Sequence, residues 1–165
     1  MNSSCSKIIL ELKNKITSTD DIEYAISLAE VLAKLLWSNN VGVYSFPDIE
    51  TYLQVKVIDS IGSSACVRNE DDEILFVISE PYLAGGHTRL MERLSEMLVE
   101  DVDLLISRHS GDQEKNRMSS FFASVITVPN SLSISNKIIH ISDIYAKYNK
   151  IILNIHPDDI ISVLS

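Results

Sequence analysis

The sequence predicts an α/β fold: a Rossmann-like parallel sheet of about four strands with a helical N-terminal extension. Three observations predict it. Residues 1 to 62 carry apolar residues at helical spacing, residues 73 to 165 alternate short apolar runs with amphipathic segments, and the connections between those segments are short. We therefore expect a helical extension over 1–62, a polar connection over 62–72 and a Rossmann-like α/β domain over 73–165.

The helical extension contains two clear amphipathic patterns. Apolar residues recur every three or four positions from Ile22 to Leu36, and the pair Asp20 and Glu23 predicts the N-terminal cap of that helix. A later helix begins near Pro47, with a predicted buried stripe of Ile49, Leu53 and Val57. Neither pattern carries a chemical motif, so we expect this part to be a packing element.

The second part contains four predicted strands. Their sequences are EILFVIS (73–79), VDLLIS (102–107), ASVITVP (123–129) and KIILNI (150–155). The first and the fourth are nearly continuous apolar runs, which is typical of strands buried on both faces of a parallel sheet. Two amphipathic segments predict helices between the strands. They are 88–101, with leucines at 90, 94 and 98 at four-residue spacing, and 136–148.

Composition excludes several classes of protein. A net charge of −9 argues against binding to a nucleic-acid backbone, which needs a basic surface. The N-terminus lacks the apolar stretch of an ordinary signal peptide, and no run of about 18 apolar residues predicts a membrane span. The two cysteines, Cys5 and Cys66, have no paired spacing that would indicate a disulfide framework or a zinc site. We expect a cytoplasmic protein with no cofactor.

The first candidate site is the loop that follows the first predicted strand. In an open parallel sheet, ligands bind outside the carboxyl ends of the strands. Here Gly85 and Gly86 permit positive φ angles and close backbone approach, Thr88 can cap the next helix, Arg89 offers a fork of donors to a phosphate, and His87 can give or take a proton. The pattern is neither the dinucleotide motif GxGxxG nor a P-loop.

The second candidate site follows the fourth strand, at the sequence His156-Pro157-Asp158-Asp159. His156 is a candidate general base or substrate ligand, and Asp158 a candidate substrate-binding residue. A proline followed by two acidic residues is also typical of the first turn of a helix, so that interpretation stays open for Pro157 to Asp159. His109 is a weaker candidate, and we expect His140 to be a packed or surface residue.

The stretch EILFVISEPYLAGGHTRLMERLSEMLVEDVDLLISRH resembles the opening of the N-terminal domain of a GT-B-fold glycosyltransferase of the glycosyl-transferase-group-1 type. The resemblance covers roughly residues 73 to 160, and its specific part is GGHTR with its flanking strand and helix. It implies transfer of a sugar from a nucleotide-sugar donor to a carbohydrate or protein acceptor. In such enzymes the N-terminal domain mainly binds the acceptor, and a second domain holds the nucleotide.

Residue by residue, the resemblance implies two groups. Phosphate or sugar oxygens would be bound by Gly85, Gly86, Thr88 and Arg89, and His87 and His156 would face the cleft as the catalytic candidates. The chain departs from the family pattern, because we expect its 165 residues to hold neither a second domain nor the acidic motif of the donor half. We therefore expect an acceptor-side half, inactive alone, with the donor-binding domain supplied elsewhere.

Two alternatives remain open. The sequence HPDD also resembles the zinc site of LmbE-like N-acetylglucosamine deacetylases, which implies His156 and Asp159 as zinc ligands and Asp158 as general base. Against this, Ile160 follows where that family usually has glutamate, and the other histidines lie upstream. The second alternative is a small non-enzymatic α/β binding or assembly module that docks a partner through its acidic surface and helical half.

Overall fold

A computed structural model of the chain describes residues 3–39, 42–43, 45–61, 74–82, 85–98, 102–108 and 111–165. They form an α/β fold with a parallel four-stranded sheet, as predicted. The described elements are α1 (Ser3–Ser18), α2 (Ile22–Ser38), α3 (Pro47–Ile61), β1 (Ile74–Ile78), α4 (Gly86–Met97), β2 (Asp103–Ile106), α5 (Asp112–Met118), β3 (Ser124–Thr127), α6 (Ile134–Tyr145), β4 (Lys150–Asn154) and α7 (Ile160–Leu164). The predicted connection 62–72, residues 83 and 84 of the glycine loop, and His109 lie outside the described residues.

The chain divides into two compact units. The helical unit comprises Met1–Ser63 and Pro157–Leu164, and the sheet unit comprises Ser64–His156 and Ser165. The expected boundary placed residues 157–164 with the sheet, whereas in the structure α7 contacts α2 and α3. None of the described helices combines the length and the hydrophobicity that a membrane-spanning helix needs.

Helix α2 follows the predicted periodicity but begins one residue later than the predicted cap implies. Its buried residues are Ala25, Ile26, Ala29, Leu32, Ala33 and Leu36. The cap is Asp21, not Asp20: Asp21 Oδ1 accepts a hydrogen bond of 3.1 Å from the Tyr24 backbone N–H. The physical reason is that a capping side chain reaches the amide two or three positions further on, so it must directly precede the first helical residue.

The sheet is fully parallel, in the strand order β3-β2-β1-β4. In register, Phe76 of β1 lies between Leu104 of β2 and Ile152 of β4. The chain moves outward from β1 to β2 and β3, then returns across the sheet to form β4 on the other side of β1. The strand order therefore reverses between β1 and β4, which is the topological switch point of a Rossmann-like sheet.

Strand β1 is buried on both faces, which confirms the prediction from its apolar run. On one face, Phe76 packs against Phe122 in an edge-to-face arrangement, with ring centroids 5.9 Å apart and planes at 83°. The residues of this core are Ile74, Phe76, Ile78, Met91, Val102, Leu104, Ile106, Met118 and Phe122. Helices α4 and α5 thus cover this face of the sheet.

Strand β4 was predicted to be buried, and that prediction is wrong. Its three consecutive apolar side chains Ile151, Ile152 and Leu153 are 37, 39 and 46% exposed. Neighbouring side chains point to opposite faces of a strand, so both faces of β4 are open. Among the described strands, only β1 pairs with β4. An apolar run predicts a strand, but only the pairing decides whether that strand is central or at an edge.

The buried face of α4 also differs from the predicted leucine stripe. The buried residues are Thr88, Met91, Glu92 and Ser95, whereas Leu90 is 49% exposed and Leu98 lies beyond the end of the helix. A buried glutamate is compatible with this face because Arg117 of α5 neutralises it, with Nε 2.6 Å from Glu92 Oε1 and Nη2 2.8 Å from Oε2. The hydrogen bond to Glu92 raises the pKa of the Arg117 guanidinium above its usual value.

Candidate functional site

A polar crevice lies where the carboxyl ends of β1 and β4 meet. Its open volume is about 260 Å³, and its lining residues are Ile78, Ser79, Glu80, Tyr82, His87, Asn154 and His156. All of them belong to the sheet unit. The crevice occupies the switch point of the sheet, which is the position at which open α/β sheets bind ligands. It therefore brings His87 and His156, the two predicted catalytic candidates, into one wall.

His87 and Asn154 are joined by two hydrogen bonds, although they are 67 residues apart in the sequence. The ring atom Nδ1 of His87 lies 2.8 Å from Asn154 Oδ1, and Asn154 Nδ2 donates to the His87 carbonyl oxygen at 3.2 Å. Asn154 is the last residue of β4, and His87 is the second residue of α4. The pair thus connects the start of α4 to the end of β4 directly across the switch point.

His156 is held through its backbone. Its N–H donates a hydrogen bond of 2.7 Å to Ser79 Oγ, which lies directly after β1 and is 2% exposed. The His156 side chain is half-buried and lines the crevice. Because a buried hydroxyl anchors the backbone at this point, the imidazole projects from a fixed position rather than from a free loop.

A carboxylate completes the wall on the β1 side. The Tyr82 hydroxyl donates to Glu80 Oε2 at 2.5 Å, and Arg108 Nη1 lies 4.0 Å from Glu80 Oε1. Both Glu80 and Tyr82 line the crevice. The described wall therefore combines two imidazoles, one carboxylate, one phenol, one hydroxyl and one amide, groups that can exchange protons and hydrogen bonds with a polar ligand.

The two glycines were predicted to permit positive φ angles, and neither uses one. Gly85 is the N-cap of α4 with φ of −80°, and Gly86 is the first helical residue. Close approach favours glycine at position 85 instead, because a Cβ atom there would lie 3.0 Å from Tyr82 Cβ. A Cβ atom at Gly86 would meet no atom within 4 Å. The glycine at 85 thus lets the chain turn tightly against Tyr82 before α4 begins.

Thr88 is not the cap of α4, contrary to prediction, since it lies in the first turn and is 1% exposed. Its Oγ1 atom accepts a hydrogen bond of 2.8 Å from the Tyr82 backbone N–H. The hydroxyl therefore fastens the segment after β1 to the first turn of α4. Because Tyr82 and His87 both line the crevice, this bond shapes the crevice without facing it.

We expect Thr88→Val to lower the free energy of unfolding by about 1–3 kcal/mol, because valine keeps the shape of threonine but leaves the Tyr82 N–H without its acceptor. Thr88→Ser is the matched control, since it keeps the oxygen. Urea denaturation measures the stability, and hydrogen exchange of the Tyr82 amide reports the local effect. Equal Tyr82 protection in wild type and the valine variant would contradict the assigned bond.

The remaining predicted residues lie outside the crevice wall. Arg89 is exposed in the first turn of α4 and is not among the described residues that line the crevice. Asp158 is half-buried and, like Asp159, belongs to the helical unit. Asp159 is 2% exposed, and its Oδ1 accepts from the Ser162 N–H at 3.3 Å. This contact fits the alternative interpretation of Asp159 as part of a helix start. His140 is half-buried on α6.

A larger groove, of about 620 Å³, lies within the helical unit among α2, α3 and α7. Most of its lining residues are apolar, such as Leu32 and Leu53, and the polar ones are Ser45, Glu50 and Gln54. No histidine is among its described lining residues. Polar groups that converge on one point distinguish a specific binding site from an apolar hollow, so the crevice of the sheet unit is the better candidate.

Sequence reasoning missed Ser79, Glu80, Tyr82 and Asn154. A usable signal was present, because all four stand at or just after the carboxyl ends of β1 and β4.

Among the described residues, no group of three or more His, Cys, Asp or Glu side chains is placed to hold a metal ion. Comparison with protein-family models, curated proteins and solved structures found no match to this chain.

Proposed function

We propose that this chain is the acceptor-side, N-terminal half of a GT-B-type glycosyltransferase. The observation that carries the proposal is the polar crevice at the strand-order reversal between β1 and β4, with His87 and His156 in its wall. Open α/β sheets bind ligands at this position. The resemblance of the GGHTR segment to glycosyltransferases of this type is the reason for proposing a sugar as the ligand.

The start of α4 supports a role in binding the donor. A helix N-terminus has N–H groups without partners inside the helix and carries a partial positive charge, both of which favour an anion. Gly86 and His87 are the first two residues of α4, and Arg89 is exposed two residues further on. Under the proposal, a donor phosphate would approach these groups while the acceptor occupies the crevice.

The proposal requires that the nucleotide of the donor is bound by a second domain or by another chain. The nucleotide of a sugar donor is large compared with this small crevice, whose seven described lining residues all belong to the sheet unit. Sugar transfer therefore depends on the partner half, and the isolated chain is expected to bind ligands without turnover. In the complete enzyme, His87 and His156 are the candidates for the base that takes the acceptor proton.

Calorimetric titration of the chain with UDP and UDP-glucose tests the proposal. Arg89→Ala is expected to weaken binding of the phosphate-bearing ligand by about 1.5–3 kcal/mol, the usual contribution of a hydrogen bond from a charged group. Arg93→Ala is the matched control, because Arg93 is also exposed and lies one turn further along α4. Unchanged affinity in Arg89→Ala would remove Arg89 from the site.

The same titration separates the alternatives. Zinc binding that is lost in His156→Ala would favour the deacetylase, whose resemblance gives His156 to the metal. No response to UDP, UDP-glucose or zinc would remove the donor role of Arg89 and the start of α4, and would leave an acceptor-only domain or the non-enzymatic binding module. The partner would then have to be sought among proteins.

A further inference from the structure

The two contacts between His87 and Asn154 determine where the proton of the His87 ring lies. The carbonyl oxygen of His87 can only accept a hydrogen bond, so the Asn154 atom 3.2 Å from it is the amide nitrogen, which donates. The other amide atom, 2.8 Å from His87 Nδ1, is therefore the oxygen, which only accepts. A reversed amide would set two acceptors against each other. Nδ1 of His87 must carry the hydrogen.

A neutral imidazole carries one proton, so Nε2 of His87 has a lone pair and acts as an acceptor. The ring cannot exchange the two roles without losing the bond to Asn154. His87 lines the crevice and its side chain is exposed, so a ligand can reach it. The acceptor role of His87 Nε2 is thus fixed by Asn154, the last residue of β4.

The neighbouring polar groups strengthen this acceptor character. Glu80 adds a carboxylate, which only accepts when ionised. A phosphate dianion would place further negative oxygens against that carboxylate and against the Nε2 lone pair, with at most one hydrogen to share between them. A hydroxyl group donates to either atom. The hydrogen-bonding polarity of these two groups favours a hydroxyl over a phosphate.

We propose that Asn154 is a positioning residue that holds His87 in the Nδ1–H tautomer, and that the crevice consequently takes a sugar or polyol hydroxyl rather than a phosphate group. The inference deepens the proposed function, on which it rests for the sugar. It assigns the crevice to the acceptor hydroxyl, and it leaves the donor phosphate to Arg89 and the start of α4.

The tautomer is measured directly by long-range ¹H–¹⁵N spectra of the ¹⁵N-labelled chain, at about pH 8.5, roughly two units above the ordinary imidazole pKa. His87→Gln assigns the resonances. We expect a protonated Nδ1 in wild type. We expect Asn154→Ala to shift the ring to the Nε2–H form common in free histidine, and Asn154→Asp to retain Nδ1–H because a carboxylate oxygen still accepts from it. A wild-type ring with the proton on Nε2 overturns the proposal.

Ligand choice is measured in the same spectra with methyl α-D-glucopyranoside and with inorganic phosphate. We expect the glycoside to shift the Nε2 resonance of His87 and phosphate to leave it unchanged. Asn154→Ala is expected to weaken the glycoside roughly two- to tenfold, the range for one neutral hydrogen bond, and Asn154→Asp to weaken it less. A response to phosphate at Nε2, or no response to the glycoside, overturns the assignment of the crevice to a hydroxyl.

These outcomes are distinct from failure of the proposed function. A chain that ignores UDP and UDP-glucose, but shows the Nδ1–H tautomer and a glycoside response at His87, would lose the donor role of Arg89 and the start of α4 and keep the hydroxyl site. A chain that binds UDP-glucose through Arg89, but has the proton of His87 on Nε2, would keep the donor role of Arg89 and lose the hydroxyl site.

Discussion

Replacing Phe76 with alanine is expected to lower the free energy of unfolding by about 3–5 kcal/mol. Phe76 is 1% exposed in the middle of β1, and its ring meets Phe122 edge-to-face across the core of the sheet unit. Alanine removes the buried ring and leaves a cavity between the sheet and helices α4 and α5, which can collapse only in part. Because a whole domain is stable by only about 5–15 kcal/mol, this loss is a large share.

Urea denaturation measures the effect of Phe76→Ala, and hydrogen exchange of the β1 amides shows that the sheet unit is the part destabilised. Leu153→Ala is the matched control, because Leu153 lies on the adjacent strand β4 but is 46% exposed. Leu153→Ala should lower the free energy of unfolding much less than Phe76→Ala. If the two variants lost equal stability, the central position of Phe76 in the core would be contradicted.

Replacing Met91 with alanine is the second large effect, with an expected loss of about 2–5 kcal/mol. Met91 is fully buried and belongs to the same core as Phe76, on the face of α4 that meets the sheet. The side chain fills space between a helix and a strand, so its removal costs both the transfer energy of its methylene groups and the cavity they leave.

Leu90→Ala tests whether the loss of stability on α4 depends on burial of the side chain rather than on its apolar character alone. Leu90 is the adjacent residue and is 49% exposed, so its replacement should change the stability little. Thermal and urea unfolding of both variants checks the difference. A larger loss at Leu90 than at Met91 would mean that α4 is rotated about its axis relative to the structure and that the predicted leucine stripe is the buried face after all.

The candidate site could be predicted only in part. The sequence pointed to His87 and His156 because each follows a predicted strand at its carboxyl end, and the structure places both in one crevice. It could not indicate that Asn154 contacts His87, since that contact joins residues 67 positions apart. Thr88 was recognised as a residue of the helix start, but its acceptor role toward Tyr82 depends on how the loop folds back.

The sequence by itself determined the four strands, the helices α2, α3, α4 and α6, their order along the chain and the α/β class. Periodicity and apolar runs act over a few neighbouring residues, so the chain carries that information locally. Only the tertiary structure decided that β4 lies at an edge, that Met91 rather than Leu90 is buried, and that the strand order reverses beside the crevice. Those features depend on which distant segments pack together, because burial and pairing are set by neighbours in space rather than along the chain.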